Sequence, residues 1–295
     1  MMDLLNVIAI GVLLGGIYAL VSVGLNLIFG VIRIVNFAQG EFVMLGMYGT
    51  YAAYNTLHLD PYLALVLVVP ALFVIGAVLQ RLVLAPLRTE PAMQIFATFG
   101  VLMLLENCVL AATRGAAYSV GSPVAQASID IGGVQVGLVR LIALLAATVV
   151  AGGLGLFLRR SMLGRAIRAV AQDRSAARLM GVDVDRIYML TFGFGAALAG
   201  LAGCLLAPIY SLSPQIGTSF ILPAFAVVVL GGLGSVLGAY VGGFIVGLTE
   251  AFAGFYLDPS LKYAVLFAVF FGVLIVRPSG LFGQVGAEQV GLRGD

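Results

Sequence analysis

The sequence predicts an all-α integral membrane protein, a polytopic bundle of about eight or nine transmembrane helices with at least one broken or re-entrant helix. Three observations support this fold class. Hydrophobic residues make up 62% of the 295 positions and charged residues only 9%, whereas a soluble domain carries about 25% charged residues. Apolar runs long enough to cross a bilayer recur along the chain. Small residues recur at four-residue spacing, which is typical of packed transmembrane helices.

This composition excludes several classes of protein and site. Fifteen basic and 13 acidic residues cannot cover a soluble core of this size, which rules out soluble enzymes, nucleic-acid binders and disordered proteins. The only lysine, Lys262, does not belong to a GxxxxGK[ST] motif, so the chain has no Walker site for ATP. The only histidine, His58, is expected in a loop, since one histidine cannot build an HExxH zinc site. We therefore predict no catalytic group, no bound metal and no cofactor.

The apolar runs predict the helices in chain order. They occupy residues 4–30, 41–57, 62–84, 93–113, 138–158, 188–208, 220–256 and 261–276. The first run has no basic residue before it, so we expect a retained first span rather than a cleaved signal peptide. The stretch 25–40 either crosses the membrane or re-enters it, which leaves the side of the N-terminus open.

The run at 220–256 is too long for one straight span. It contains the glycine cluster Gly231, Gly232 and Gly234, which predicts a short or re-entrant helix at 220–230, then a turn, then a full span. Non-helical backbone at membrane depth is tolerated only where protein or a water-filled cavity covers it. A helix broken here therefore points to a transport pathway.

Glycine spacing also predicts where helices pack closely. Gly234, Gly238 and Gly242 are spaced by four residues, and Gly11 and Gly15 repeat this spacing. Such spacing lets two helix backbones approach each other. We therefore expect the first three glycines to form a close helix contact within the bundle rather than to touch a substrate.

The distribution of basic residues predicts which loops face the cytoplasm. Seven arginines fall in the stretch 159–187, and loops rich in Arg and Lys stay inside. Counting crossings from this stretch places four more basic residues inside: Arg81, Arg88, Arg277 and Arg293. Three basic residues then lie outside: Arg114, Arg140 and Lys262. The side on which Arg33 lies is undecided.

The same basic stretch contains the signals of a short capped helix. Asp173 fits the N-cap of a helix at 174–180, and Gly181 fits its C′ position. The helix combines two arginines with an apolar patch: Arg174, Arg178, Ala176, Leu179 and Met180. A loop that only sets the membrane orientation needs no capped helix, so we expect this helix to bind a partner protein. The alternative is a solvated basic connector.

Five polar residues within or beside the apolar runs are candidates for a translocation path: Asn36, Gln39, Glu41, Glu106 and Glu250. Intramembrane carboxylates are costly and usually face the bundle interior or water. The alternative is that they bond neighbouring helices or lie near the headgroups. A proton-coupled carrier would also use such carboxylates, so they do not identify the energy source.

Several motifs in the same order resemble the permease subunits of bacterial branched-chain amino acid ABC importers, the LivH type. The matching stretches are NFAQGEFVMLG (36–46), APLR (85–88), GRAIRAVAQDRSAARLMGVD (164–183), AALAGLAGCLLAP (196–208), VVLGGLGSVLGAYVGG (228–243) and VRPSGLFG (276–283). The resemblance covers nearly all of 1–283. It implies a type II ABC importer-like permease domain over 1–283 with a cytoplasmic coupling loop at 159–187, followed by a polar cytoplasmic tail at 284–295.

The resemblance also implies an assembly in the bacterial inner membrane. A sister permease would form a heterodimer with this chain, two cytoplasmic ATPase subunits would bind ATP and Mg²⁺, and a periplasmic solute-binding protein would deliver substrate. The capped helix within 159–187 would then be the coupling helix that contacts an ATPase.

The substrate and two other function classes stay open at this point. Related permeases import urea, short amides, other amino acids and small carboxylates, and much of the selection is made by the binding protein. A stand-alone secondary carrier would need coupling-ion ligands and no ATPase contact. An intramembrane enzyme is opposed by the single histidine and by the lack of a clustered nucleophile and base.

Overall fold

The computed structural model describes residues 2–121, 127–131 and 134–283 and is predominantly helical. The helices in chain order are α1 (Met2–Ile32), α2 (Gln39–Leu57), α3 (Leu65–Leu79), α4 (Pro91–Thr113), α5 (Leu138–Arg160), α6 (Met162–Gln172), α7 (Arg174–Leu179), α8 (Val184–Leu206), α9 (Thr218–Gly231), α10 (Val236–Tyr256) and α11 (Lys262–Val276). A π-helical turn at Gln80–Leu84 and a 3-10 turn at Ala85–Leu87 continue α3, and the 3-10 turn Pro259–Leu261 precedes α11. The tail predicted at 284–295 lies outside the described residues.

Six of the described helices are long and apolar enough to cross a membrane. They are α1, α3 with its continuation, α4, α5, α8 and α10. Two further helices, α9 and α11, are apolar but only 14 and 15 residues long. The chain is therefore a polytopic helical membrane protein, with fewer full-length spans by this criterion than the eight or nine predicted.

Helices α1 and α8 form the centre of the bundle. α8 packs against α1, α2 and α3, and α1 packs along α10. Small residues allow the close approach: a Cβ atom placed at Gly15 would lie 2.7 Å from Phe244 Cα, and one at Gly243 would lie 2.6 Å from the Ala19 nitrogen. The spacing of Gly11 and Gly15 therefore marks the α1–α10 contact, as expected for helices that pack by backbone proximity.

Helices at the periphery expose apolar side chains. In α4 and in α5, only 11% of an apolar 18-residue stretch is buried, and Phe96 of α4 is 71% exposed. The lipid tails of a bilayer are as apolar as these side chains, so such a surface needs no polar cover.

The stretch 114–137, predicted only as a break, contains a small β-hairpin. Strands β1 (Ser128–Ile131) and β2 (Val134–Gly137) pair antiparallel. Before them, Tyr118 and Leu212 exchange two backbone hydrogen bonds of 3.1 and 2.8 Å, which tie this stretch to the loop after α8.

The long apolar run at 220–256 is divided by a turn at the glycine cluster. α9 ends at Gly231 and α10 begins at Val236, and Gly232 and Gly234 adopt φ angles of +103° and +82°, which favour glycine. The buried Asn26 of α1 holds this turn: its Oδ1 accepts from the Gly234 N–H at 2.6 Å, and its Nδ2 donates to the Ser235 carbonyl at 2.6 Å.

The end of α9 is completed by the last described segment of the chain. The N–H groups of Leu281 and Phe282 donate to the carbonyls of Leu230 and Gly231 at 2.9 and 3.0 Å. The final carbonyls of a helix have no partner within it, so the segment after α11 serves as a C-terminal cap for α9.

Candidate functional site

The residues between α1 and α2 form a polar break inside the bundle. Asn36 Oδ1 accepts from the Ala38 N–H at 3.1 Å, and its Nδ2 donates to Gln39 Oε1 at 3.2 Å. Gln39 Nε2 in turn donates to the Gly195 carbonyl of α8 at 3.3 Å. Both amide side chains are fully buried. Their bonds hold the start of α2 against the central helix α8.

Glu41 lies beside these amides in the first turn of α2 and is 0% exposed. Among the described residues, neither of its carboxylate oxygens has a hydrogen-bond partner. Gly217 approaches it from the loop before α9: a Cβ atom there would lie 2.8 Å from Oε1. A helix N-terminus favours a negative charge by about 0.3–1 kcal/mol, whereas burying an uncompensated charge costs several kcal/mol. Within the described part of the chain, Glu41 therefore lacks a counter-charge and a hydrogen-bond donor.

Glu106 is a further carboxylate on α4, which packs against α2, and it is half-buried. Thr98 holds α4 against the break: its hydroxyl accepts from the Phe37 N–H at 3.3 Å and lies 3.2 Å from the Val35 carbonyl. The structure thus brings Asn36, Gln39 and Glu41 together at the start of α2, and it places Glu106 on a neighbouring helix.

Glu250, the fifth predicted path residue, lies elsewhere and is fully bonded. Tyr18 donates to its Oε2 at 2.5 Å, and Lys262 Nζ donates to its Oε1 at 2.9 Å. This cluster joins α10 to α1 and α11, and Lys262 lies over the Tyr263 ring at 4.8 Å. A carboxylate with both oxygens bonded is a packing element as well as a path candidate.

The predicted capped helix is observed as α7, which ends one residue earlier than expected. Asp173 accepts from the N–H groups of Ser175 and Ala176 at 2.8 and 2.9 Å, and Gly181 has φ +81°. Leu179 and Met180 are 89% and 84% exposed. The apolar patch of this helix therefore has no cover in the described part of this chain.

The preceding helix α6 was missed from the sequence. Ser161 caps it by accepting from the Gly164 N–H at 2.8 Å. Gly164, Ile167 and Val170 are buried against the bundle at a spacing of three. That periodicity is the signal that would have predicted it.

Two contacts tie this basic region to the bundle. Arg33, with φ +61° at the end of α1, donates to the Ala171 carbonyl of α6 at 3.2 Å, so Arg33 lies on the same side as the stretch 159–187. Arg88 pairs with Asp185 at the start of α8 and lies over the Tyr188 ring at 5.0 Å. Burial lowers the pKa of the Arg88 guanidinium, which nevertheless stays charged because arginine begins so high.

The three predicted packing glycines make close contacts of two kinds. Gly238 and Gly242 lie on α10 and face α9: Gly238 touches the Gly231 carbonyl, and a Cβ at Gly242 would lie 2.8 Å from the Val227 carbonyl oxygen. Gly234 does not lie on a helix, contrary to expectation. It lies in the turn, where a Cβ would be 3.1 Å from Gly30 Cα of α1.

Comparisons with known proteins agree with these features. Residues 7–274 match the family described as the permease component of the branched-chain amino acid transport system. The chain is 35% identical to the high-affinity branched-chain amino acid transport system permease protein LivH of Salmonella typhimurium, over 95% of this chain and 96% of that protein. It is 33% identical to BraD of Pseudomonas aeruginosa, which has the same description, over 95% and 96% of the two chains.

A more distant relative is the probable branched-chain amino acid transport permease protein LivH of Methanocaldococcus jannaschii, 28% identical over 92% of this chain and 90% of that protein. No solved structure matches the chain. Both the family match and the relatives extend over nearly the whole sequence. The chain therefore belongs to the family of permease components of branched-chain amino acid transport systems.

Proposed function

We propose that this chain is one transmembrane permease subunit of an ATP-driven importer that moves branched-chain amino acids across the bacterial inner membrane. The observation that carries the proposal is the 35% identity over 95% of the chain to a high-affinity branched-chain amino acid permease protein. The concentration of arginines in 159–187 supports an inner-membrane orientation with this loop in the cytoplasm.

The energy is supplied by partner chains. The sequence holds no Walker motif, so ATP and Mg²⁺ bind two cytoplasmic ATPase subunits, and this chain needs no cofactor of its own. A sister permease completes a heterodimer in the lipid bilayer, and a periplasmic solute-binding protein delivers the amino acid. The exposed Leu179 and Met180 on α7 support an ATPase contact at this helix.

Residues 1–283 form one permease domain with about eight or nine membrane segments. In addition to the six long helices, α2, α9 and α11 enter the membrane, and α9 is the short half of a broken helix. The contacts of α9 with α1 and α10 support this assignment, as does the cap that residues 281 and 282 supply.

The path runs past the polar break. Asn36 and Gln39 fix its wall, Glu41 and Glu106 supply charge, and Glu250 lies near its outer end. The support for this course is the Glu41 carboxylate, which is buried and finds no hydrogen-bond partner among the residues that the structure describes. Intramembrane carboxylates usually face the bundle interior or water.

Reconstitution tests the proposal. The chain is co-expressed with its sister permease, ATPase subunits and solute-binding protein, and uptake of radiolabelled leucine into proteoliposomes is measured. We expect uptake that needs ATP, both permeases and the binding protein. Leucine uptake by this chain without the ATPases would instead identify a secondary carrier. If urea or a short amide, but not leucine, raised the Tm of the binding protein, the proposed substrate would be wrong.

A further inference from the structure

The two buried intramembrane carboxylates differ in what surrounds them. Glu250 has a donor at each oxygen, Tyr18 at 2.5 Å and Lys262 at 2.9 Å. Glu41 is at least as deeply buried, at 0% exposure, and the described residues offer neither of its oxygens a donor. Buried polar groups in folded proteins are almost always bonded. A buried carboxylate without a hydrogen-bond donor among the described residues therefore points to a cationic or donor-bearing ligand from outside the chain.

A second carboxylate lies on a neighbouring helix. Glu106 belongs to α4, which packs against α2. The ion pairs of the described residues, Arg88–Asp185 and Lys262–Glu250, involve neither of these two carboxylates. Two acidic groups without a basic partner make this region attractive to a positive charge and unattractive to an anion.

The surroundings of Glu41 are rigid and partly apolar. The paired amides of Asn36 and Gln39 hold the start of α2, and the Gly217 backbone packs so closely that a Cβ atom placed there would lie 2.8 Å from Glu41 Oε1. Four residues before Glu41, the Phe37 ring packs against Phe225 and Phe99, with ring centroids 5.4 and 6.3 Å apart. A buried carboxylate in the same segment as an aromatic cluster suits a ligand with one cationic group and a hydrocarbon body.

We propose that Glu41, reinforced by the charge of Glu106, binds the α-ammonium group of the amino acid during its passage through the permease. The inference rests on the proposed function, because it names the contact that this function makes with its substrate. A primary ammonium carries three N–H donors, and the Glu41 carboxylate offers two acceptor oxygens. Glu250 instead stabilises the packing of three helices through its bonds to Tyr18 and Lys262, so we do not assign it this role.

Binding to the assembled transporter without its binding protein tests the site. The complex of this chain with its sister permease and ATPases is placed in nanodiscs, and retention of radiolabelled leucine is measured. We expect competition by 3-methylbutylamine, which keeps the ammonium group of leucine, and none by 4-methylpentanoate, which keeps the carboxylate. Glu41→Gln should weaken leucine binding roughly tenfold or more, the loss expected for a charge-assisted hydrogen bond.

Matched variants separate recognition from folding. Glu41→Asp keeps the charge and should retain part of the binding, and Glu106→Gln should cause a smaller loss than Glu41→Gln. Glu90→Gln makes the same change at an exposed carboxylate just before α4 and should leave binding unchanged. Complex yield and thermal unfolding should be normal in Glu41→Gln, so that a loss of binding is not a loss of folding.

Several outcomes would overturn the site. They are wild-type affinity in Glu41→Gln, competition by 4-methylpentanoate equal to that by the amine, and no leucine binding by the wild-type complex. The proposed function is judged separately, by ATP-dependent uptake into proteoliposomes of the wild-type transporter. Normal uptake with any of these three outcomes would leave the function standing and remove only the ammonium site.

Discussion

At the scale of single residues, glycines on α10 decide how closely two backbones meet. Gly238 lies against the Gly231 carbonyl of α9, so even a methyl group at this position would displace backbone. Gly254 lies on the same helix, but no atom of the described chain lies within 4 Å of a Cβ placed there. The same residue type therefore has a packing role at one position and none at the other within this chain.

Gly238→Leu should lower the yield and the Tm of the purified complex before it changes substrate preference. Overpacking of a filled interior typically costs about 1–3 kcal/mol, and the neighbour here is backbone that cannot rotate away. Gly254→Leu is the control and should leave both quantities nearly unchanged. Size-exclusion yield and thermal unfolding measure the difference. A Gly238→Leu complex that purified normally and was altered only in transport would contradict the packing role.

At the scale of elements, α7 is a short rigid unit fixed at both ends. Asp173 bonds its first N–H groups, and at its other end the N–H of Val182 donates to the Ala177 carbonyl at 3.0 Å. Ala177 is buried against the bundle while Leu179 points its apolar side chain to solvent. A contact made on the exposed side can therefore move the helix as one body against the bundle.

Leu179→Asp should uncouple ATP hydrolysis from transport or release the ATPase, and Arg178→Ala should have a milder effect. Burying a leucine stabilises an interface by about 1.5–3 kcal/mol, whereas an ion pair at a solvated rim contributes roughly 0–1 kcal/mol. Parallel assays of ATP hydrolysis and leucine uptake in the same proteoliposomes report the coupling.

Cysteine cross-linking from position 179 to the ATPase surface checks the docking site directly. We expect a cross-link in the assembled transporter that needs the cysteine at 179, in a background where Cys108 and Cys204 are replaced. An intact and active complex without this cross-link would move the coupling contact to another cytoplasmic segment.

At the scale of the whole molecule, contacts between distant segments agree with one orientation. Arg33 bonds the end of α6, and Arg88 pairs with Asp185, so both arginines lie on the face that carries α6 and α7. Lys262, assigned to the opposite face, lies at the start of α11. The placement of Arg33, which the sequence left open, therefore adds one more basic residue to the side that carries the stretch 159–187.

Labelling with a membrane-impermeant maleimide tests this orientation. In a background without Cys108 and Cys204, Leu261→Cys should react in whole cells whose outer membrane is permeable. The proposed orientation places the loop of Leu179 in the cytoplasm, so Leu179→Cys should react only in inverted inner-membrane vesicles. The reverse pattern would invert the topology and remove the basis for an ATPase contact at α7.

Local signals explain which parts of this molecule were predictable. The cap at Asp173 depends on bonds within three residues, and local residue types mark the turn at Gly232 and Gly234 and the break before α2, so the sequence predicts all three. The bonds that hold the turn and the break, from Asn26 to Ser235 and from Gln39 to Gly195, join distant segments. The bond between Tyr18 and Glu250 likewise joins residues 232 positions apart, and it depends on helix packing that no local pattern encodes. In α6, the arginines indicate a charged loop, and they obscure the three-residue spacing of its buried residues.

The cap on α9 also sets an order for the synthesis of this chain. The carbonyls of Leu230 and Gly231 accept from residues that the ribosome adds about 50 positions later. At elongation rates of about 5–20 residues per second, these carbonyls remain without their N–H donors for roughly 3–10 s. During that interval water or the insertion machinery has to solvate them, since unpaired carbonyls are costly at membrane depth. Capping of α9 by residues 281 and 282 is thus a late step of biogenesis, whereas the bonds from Asn26 to the turn can form as soon as Ser235 has been added.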